Sequence, residues 1–88
     1  MRRIWKFALD IGNNRLVVPK GSRLLSLAAQ HNVPTIWVEC TDTKLSDIWE
    51  ITGVVTGHEY EEIDGEFIGT AILDNGSFVV HYFGKTYD

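Results

Sequence analysis

Ser22-Arg-Leu-Leu-Ser-Leu-Ala-Ala-Gln-His31 is the stretch on which the fold turns. Ser22 is a good N-cap residue and the leucines, alanines and Gln30 are strong helix formers, so local propensity points to a helix. Alternation points to a strand. Leu25, Leu27 and Ala29 recur at period two, and the loop His31-Asn32-Val33-Pro34 would return the chain so that they pair with Ile36, Val38 and Cys40 in a hairpin. Taken alone, these ten residues leave both readings open.

Outward from that stretch the period of two dominates. Trp5, Phe7 and Leu9 share one face, with Lys6 and Asp10 on the other, the pattern of a half-buried strand. Gly12-Asn13-Asn14 is a turn cluster, residues 15–18 a short β-rich run, and Pro19-Lys20-Gly21 another break. Residues 35–41 set Ile36, Val38 and Cys40 against Trp37 and Glu39, and residues 48–55 form a further β-rich run. Near the C-terminus, Asp74-Asn75-Gly76-Ser77 separates two apolar runs, and Asn-Gly is the preferred pair for a two-residue type I′ hairpin turn. Counting outward from it predicts Ile72 opposite Val79, Thr70 opposite His81 and Gly69 opposite Tyr82. The total is six or seven strands with an acidic connection at 57–66. The expected fold is mainly β, a compact antiparallel β-sandwich or small barrel, with one short helix near 22–31 as the alternative.

Length and composition fit one packed domain over residues 1–88. The chain is 44% hydrophobic with ten aromatic residues, which excludes disorder. No apolar run reaches the roughly 18 residues that span a bilayer, and the N-terminus lacks the apolar core of a signal peptide, so no membrane is expected as a partner. Cys40 is the single cysteine and has no disulfide partner within the chain. A core this small is marginal, and self-association is a common way to add buried area, so a homo-oligomer is expected.

The net charge of −4 hides an asymmetry. Residues 1–23 hold Arg2, Arg3, Lys6, Arg15, Lys20 and Arg23 against Asp10 alone. Residues 39–66 hold Glu39, Asp42, Asp47, Glu50, Glu59, Glu61, Glu62, Asp64 and Glu66 against Lys44 alone. This layout suits a basic face that holds an anionic ligand, or contact between the two segments across subunits. Overall acidity argues against duplex nucleic acid as a partner.

Two resemblances bear on the undecided stretch. Val18-Pro-Lys-Gly-Ser-Arg-Leu-Leu-Ser-Leu-Ala-Ala-Gln-His-Asn-Val-Pro34 resembles the opening of a LysM glycan-binding module, which implies a helix; the resemblance ends at the strand-like residues 35–41. The other covers nearly the whole chain. Ile4-Trp5-Lys6-Phe7, Val18-Pro19-Lys20-Gly21, Leu25-Ser26, Gln30, Pro34-Thr-Ile-Trp37, Thr56-Gly57-His58, Phe67-Ile-Gly-Thr70 and Phe78-Val-Val-His-Tyr-Phe83, in that order, resemble a family of short phage and prophage proteins of unknown function. That resemblance implies a mainly β fold, and so a strand at 22–31. It also implies a phage origin, an accessory role and a place in the host cell cytoplasm.

For function, the expected ligand-binding set is Arg23, Gln30, Trp37, Thr56, Gly57, His58, Thr70 and His81. Arginine pairs with phosphates in bidentate geometry, and an indole offers a stacking face for a base. Arg2, Arg3 and Lys20 are further cations, and Trp5 and Trp49 further indoles, for the same chemistry. Gly57 lets backbone approach a ligand, while His58 and His81 bring hydrogen-bonding imidazoles. Each has a plain structural alternative: a solvated charge, a packed ring, a turn, a histidine satisfied within its strand. The serines have no nucleophile-elbow context, and the histidines and acids show no metal-ligand spacing, so neither catalysis nor a cofactor is expected. The partner expected is an anionic, nucleotide-like small molecule captured without turnover, or else a host defence protein bound through the acidic segment; a virion accessory role is the remaining alternative.

Overall fold

The computed structural model describes residues 1–87 and contains seven strands: β1 (Arg2–Ala8), β2 (Asn13–Pro19), β3 (Arg23–Gln30), β4 (Val33–Thr41), β5 (Ser46–Val55), β6 (Glu66–Leu73) and β7 (Phe78–Tyr87). They form two antiparallel sheets, β1-β4-β3 and β2-β5-β7-β6. The slab measures 40 × 29 × 15 Å, and the mainly β sandwich expected from the sequence is the fold observed. No helix among the described residues is long and apolar enough to cross a membrane.

The undecided stretch is strand β3, not a helix. It pairs with β4 through a two-residue turn, His31-Asn32, both at positive φ (51° and 62°), and not through the four-residue loop expected. Tertiary pairing overrides the helix propensity of 24–30, because β4 offers a ladder and an apolar face that an isolated ten-residue helix would lack. The facing also differs from expectation. A bulge between Leu24 and Ser26 leaves Leu25 as the extra residue, and this shifts the alternation by one position. Leu24 and Leu27 therefore turn inward, opposite Val38 and Ile36, and Leu25 is left 40% exposed.

The C-terminal hairpin follows its predicted register: Ile72 pairs with Val79, Thr70 with His81 and Gly69 with Tyr82. The connection is longer than the two-residue loop expected: the strands end at Leu73 and resume at Phe78, Asp74, Asn75 and Gly76 all take positive φ (50°, 55° and 94°), and the Ser77 N–H donates to the Asp74 carbonyl at 3.1 Å. The two hairpin tips, one from each sheet, are tied together. Asn32 Nδ2 donates to Asp74 Oδ1 at 2.6 Å, and the Asp74 N–H donates to Asn32 Oδ1 at 2.8 Å.

Between the sheets lie Leu9, Val18, Ile36, Val38, Cys40, Trp49, Ile51, Ala71, Leu73, Val80 and Tyr82, each 5% exposed or less. Burying each aliphatic side chain of this set contributes about 1.5–3 kcal/mol. Tyr82 brings its hydroxyl into the core and donates it to the Asp10 carbonyl at 3.1 Å. Burial, reinforced by the negative charge of Asp10, pushes its pKa up to about 12. The same carbonyl accepts from Asn14 Nδ2 at 3.0 Å, so the β1–β2 corner is pinned from inside and outside. Beneath Tyr82, Gly53 leaves no room for a side chain: a Cβ there would lie 2.7 Å from the Tyr82 ring and 2.9 Å from Val80 Cγ1.

Candidate functional site

The eight residues expected at a ligand site fall on opposite sides of the sandwich. Ile36, Val38 and Cys40 of β4 are buried, so Trp37 and Glu39 project from the outer face of the three-stranded sheet. Arg23 and Gln30 share that face, by pairing with Glu39 and Val33. Thr70 and His81 project from the outer face of the four-stranded sheet, because their neighbours Ala71, Val80 and Tyr82 point inward. Thr56 contacts His81 there and begins the turn Thr56-Gly57, after which comes His58. Within one chain the two groups are separated by the core.

On the three-stranded side the polar groups largely satisfy one another. Glu39 accepts from Arg2 at 3.2 Å and lies 3.5 Å from the Arg23 guanidinium. Lys6 Nζ donates to Gln30 Oε1 at 2.6 Å, a bridge that crosses β4 from β1 to β3. Trp37 is half-buried between its pairing partners Lys6 and Ser26. An anion arriving at Arg23 would have to displace a carboxylate.

On the four-stranded side, His81 is held at both ring nitrogens. Nε2 lies 2.6 Å from Thr56 Oγ1 and Nδ1 lies 3.0 Å from Thr70 Oγ1. A hydroxyl both donates and accepts, so either neutral tautomer is satisfied, and this imidazole ties the end of β5 to β6 and β7. Gly57 takes φ +89° with nothing within 4 Å of the Cβ position, and His58 is exposed, its N–H donating to the Val55 carbonyl at 3.1 Å. Thr56 and Gly57 are the central residues of a tight turn at the strand end, which that bond closes.

The concave surfaces lie elsewhere. One cleft of about 430 Å³ opens at an end of the sandwich over Leu24, Trp49, Ile51 and Ile68, rimmed by the ion-paired Asp64 and Lys85. Its floor is apolar. A second hollow of about 500 Å³ lies at the corner where β1 overhangs the end of β2, lined by Arg3, Trp5, Pro19, Cys40, Thr41 and residues 42–44. Here the inner side of β1 has no sheet packed against it, and Trp5 is 50% exposed on a face where alternation predicts core. Arg3 and Lys44 have no ion pair or hydrogen bond among the described residues. Asp42 is drawn off toward the N-terminal amine at 3.3 Å.

The corner hollow thus joins an open indole to two cations without a partner among the described residues, in a protein whose net charge is negative. None of the eight expected residues lines it, nor the cleft. Trp5 and Arg3 were visible in sequence as a stacking ring and a phosphate cation, but Lys44, in a polar loop of an acidic segment, carried no signal of its own. Among the described residues no group of three or more His, Cys, Asp or Glu could hold a metal ion.

No curated protein and no solved structure matches the chain. A family model matches it from end to end, residues 1–88, and by that match the protein belongs to the family described as a domain of unknown function, DUF7352.

Proposed function

We propose that this protein is a small binding protein that captures an anionic, nucleotide-like molecule without catalysis, in the hollow formed by Arg3, Trp5 and Lys44. The observation that carries this reading is the pairing of a half-exposed indole with two cations that have no partner among the described residues. Stacking on the indole supplies about 1–3 kcal/mol per base. The guanidinium of Arg3 suits a phosphate in bidentate geometry, and Lys44, which lines the same hollow, adds a point charge. The whole-chain resemblance to short phage proteins supports a finer form: a phage accessory protein that sequesters a host nucleotide immune signal in the host cytoplasm.

The test is to incubate the purified protein with host extract, re-isolate it, denature it by heat and identify released small molecules by mass spectrometry. Stoichiometric release of an intact nucleotide is the expected result. The Trp5→Ala and Arg3→Ala variants should release none. Arg23→Ala should release as much as wild type, because that guanidinium already faces Glu39. Equal release from Trp5→Ala and wild type would rule the hollow out.

A second reading, blockade of a host protein through the acidic segment, is favoured by Glu59, Glu61 and Glu62 standing exposed beside Tyr60. A host protein retained with no small molecule released would select it.

A further inference from the structure

The outer face of the four-stranded sheet carries a charge row with an unusual symmetry. Arg15 of β2 pairs in register with Glu50 of β5, and Glu50 with Lys85 of β7. Lys85 in turn makes an ion pair with Asp64, in the connection that leads into β6. All three strand residues project outward. Leu16 and Trp49, beside Arg15 and Glu50, pack inward, and the Cβ position of Gly84, beside Lys85, faces Ile51 and Ile68 of the core. Read across the sheet from β2 to β6, the row is positive, negative, positive, negative. Read backwards, every sign is reversed.

Next to this row lies an apolar field. Phe67 and Phe83 pair across β6 and β7 with ring centroids 5.7 Å apart, and the Tyr60 ring lies 6.2 Å from Phe83. Val54, Ile72 and Val79 continue the field along the same face. Phe67 is 57% exposed, Ile72 60% and Tyr60 59%, and exposed apolar residues gathered on one face mark an interaction surface.

We infer that this face is the contact between two copies of the chain, related by a two-fold axis parallel to the strands. Such an axis lays β2 over β6 of the second copy and β5 over β7. Arg15 then meets the partner's Asp64, and Glu50 meets the partner's Lys85, each at its own level along the strands. The same operation lays the apolar residues of β6 and β7, Phe67 and Phe83 among them, over β2 and β5 of the partner, beside the row. Only a surface that is complementary to itself can do this, because an isologous contact apposes one patch with its own copy. Arg15 and Glu50 have no ion pair or side-chain hydrogen bond within the described chain, so both are available to a partner. The broad side of a 40 × 29 × 15 Å slab is large enough for the roughly 800 Å² per subunit that specific dimers bury. A core of this size gains most from added burial. The basic and acidic segments of the sequence, which already meet within one chain at Glu39, meet again across subunits in this arrangement.

Sedimentation equilibrium of the full chain tests the inference and reads separately from nucleotide release, because the corner hollow lies outside this face. A dimer is expected at about 100 µM protein, where mass action favours a micromolar contact. Phe67→Glu and, independently, Ile72→Lys should each raise the dissociation constant by about tenfold or more, with circular dichroism verifying the fold. Arg15→Asp should weaken the dimer, and adding Asp64→Arg to it should restore it. Ile4→Glu, on the opposite sheet, should leave it intact. A monomer at all concentrations would overturn the inference, as would an oligomer indifferent to both Phe67→Glu and Ile72→Lys. Failure of the Arg15→Asp/Asp64→Arg pair to recover the dimer would overturn the axis proposed.

Discussion

On the outer face of the three-stranded sheet Glu39 sits between Arg2 and Arg23 and Lys6 reaches across to Gln30, whereas on the four-stranded sheet Arg15 and Glu50 stand side by side without bonding and Phe67, Ile72 and Tyr60 meet solvent. Both faces alternate outward from the same core. What separates them is whether the outward residues find one another. A face whose charges neutralise internally has little to offer a partner, and one that leaves opposite charges unengaged beside aromatic rings does. Net charge and composition do not distinguish the two, because the difference lies in which residues the register places together.

The contrast predicts that depth, not residue type, governs what each substitution costs. The largest effect belongs directly beneath the exposed face, at Gly53. Alanine there sets a Cβ 2.7 Å from the Tyr82 ring, and the overpacking should cost about 3 kcal/mol in urea titration, whereas Phe67→Ala on the surface above should cost under about 1 kcal/mol. Equal losses at the two positions would break the distinction between the face and its foundation.

His81 is next, since it is the point where the open face is internally satisfied. Alanine removes the partner of both Thr56 and Thr70 and should cost about 1–2 kcal/mol, seen as a lowered thermal midpoint. A midpoint unchanged by His81→Ala would mean that the two hydroxyls find water without penalty.

Tyr82→Phe should cost about 1 kcal/mol at neutral pH through loss of the hydrogen bond to Asp10. It also carries a pH signature. The folded phenol titrates at about 12 against 10.0 for a free tyrosine, so the stabilisation is fully present below pH 10 and is lost as pH rises toward 12. Wild type should therefore lose stability over that interval more steeply than the phenylalanine variant, as unfolding midpoints at pH 9, 10 and 11 would reveal.

The smallest effect is expected on the closed face. Glu39→Gln removes the charge between two exposed arginines and should change stability by under about 0.5 kcal/mol, a loss that vanishes in high salt. A larger change would show that the closed face does more than satisfy itself.

Much of the fold was legible because short-range chemistry dictates it. Asn75-Gly76 marked where the chain turns, and counting outward from it specified the register down to Thr70 and His81, though the loop itself also takes in Asp74 and Ser77. Ile36, Val38 and Cys40 are buried as their alternation with Trp37 and Glu39 predicts. The strand at 23–30 was not legible from its own residues. Its leucines and alanines favour a helix, and only the resemblance of the whole chain indicated a strand. The bulge at Leu25 was invisible too, because strict alternation assumes an unbroken ladder.

The site was less legible than the fold for a related reason. The exposure of Trp5 follows from β1 contacting β4 alone and no strand of the other sheet, a property of how two sheets overlap. Arg23, Gln30 and Trp37 share one face. Their separation from Thr56, Gly57, His58, Thr70 and His81 follows from which sheet each strand joins. Local sequence contains no such information.

The reciprocal bond between Asn32 and Asp74 has a consequence for the lifetime of the folded chain. The hairpins of β3–β4 and β6–β7 are each local in sequence and able to close early, but the side chain of one tip meets the backbone of the other only after both turns exist and the sheets have docked. A contact made after the folding barrier slows escape from the native state and leaves the rate of reaching it unchanged. Asn32 and Asp74 therefore act as a latch: their loss would shorten the residence time of the native sandwich while new chains fold as quickly as before.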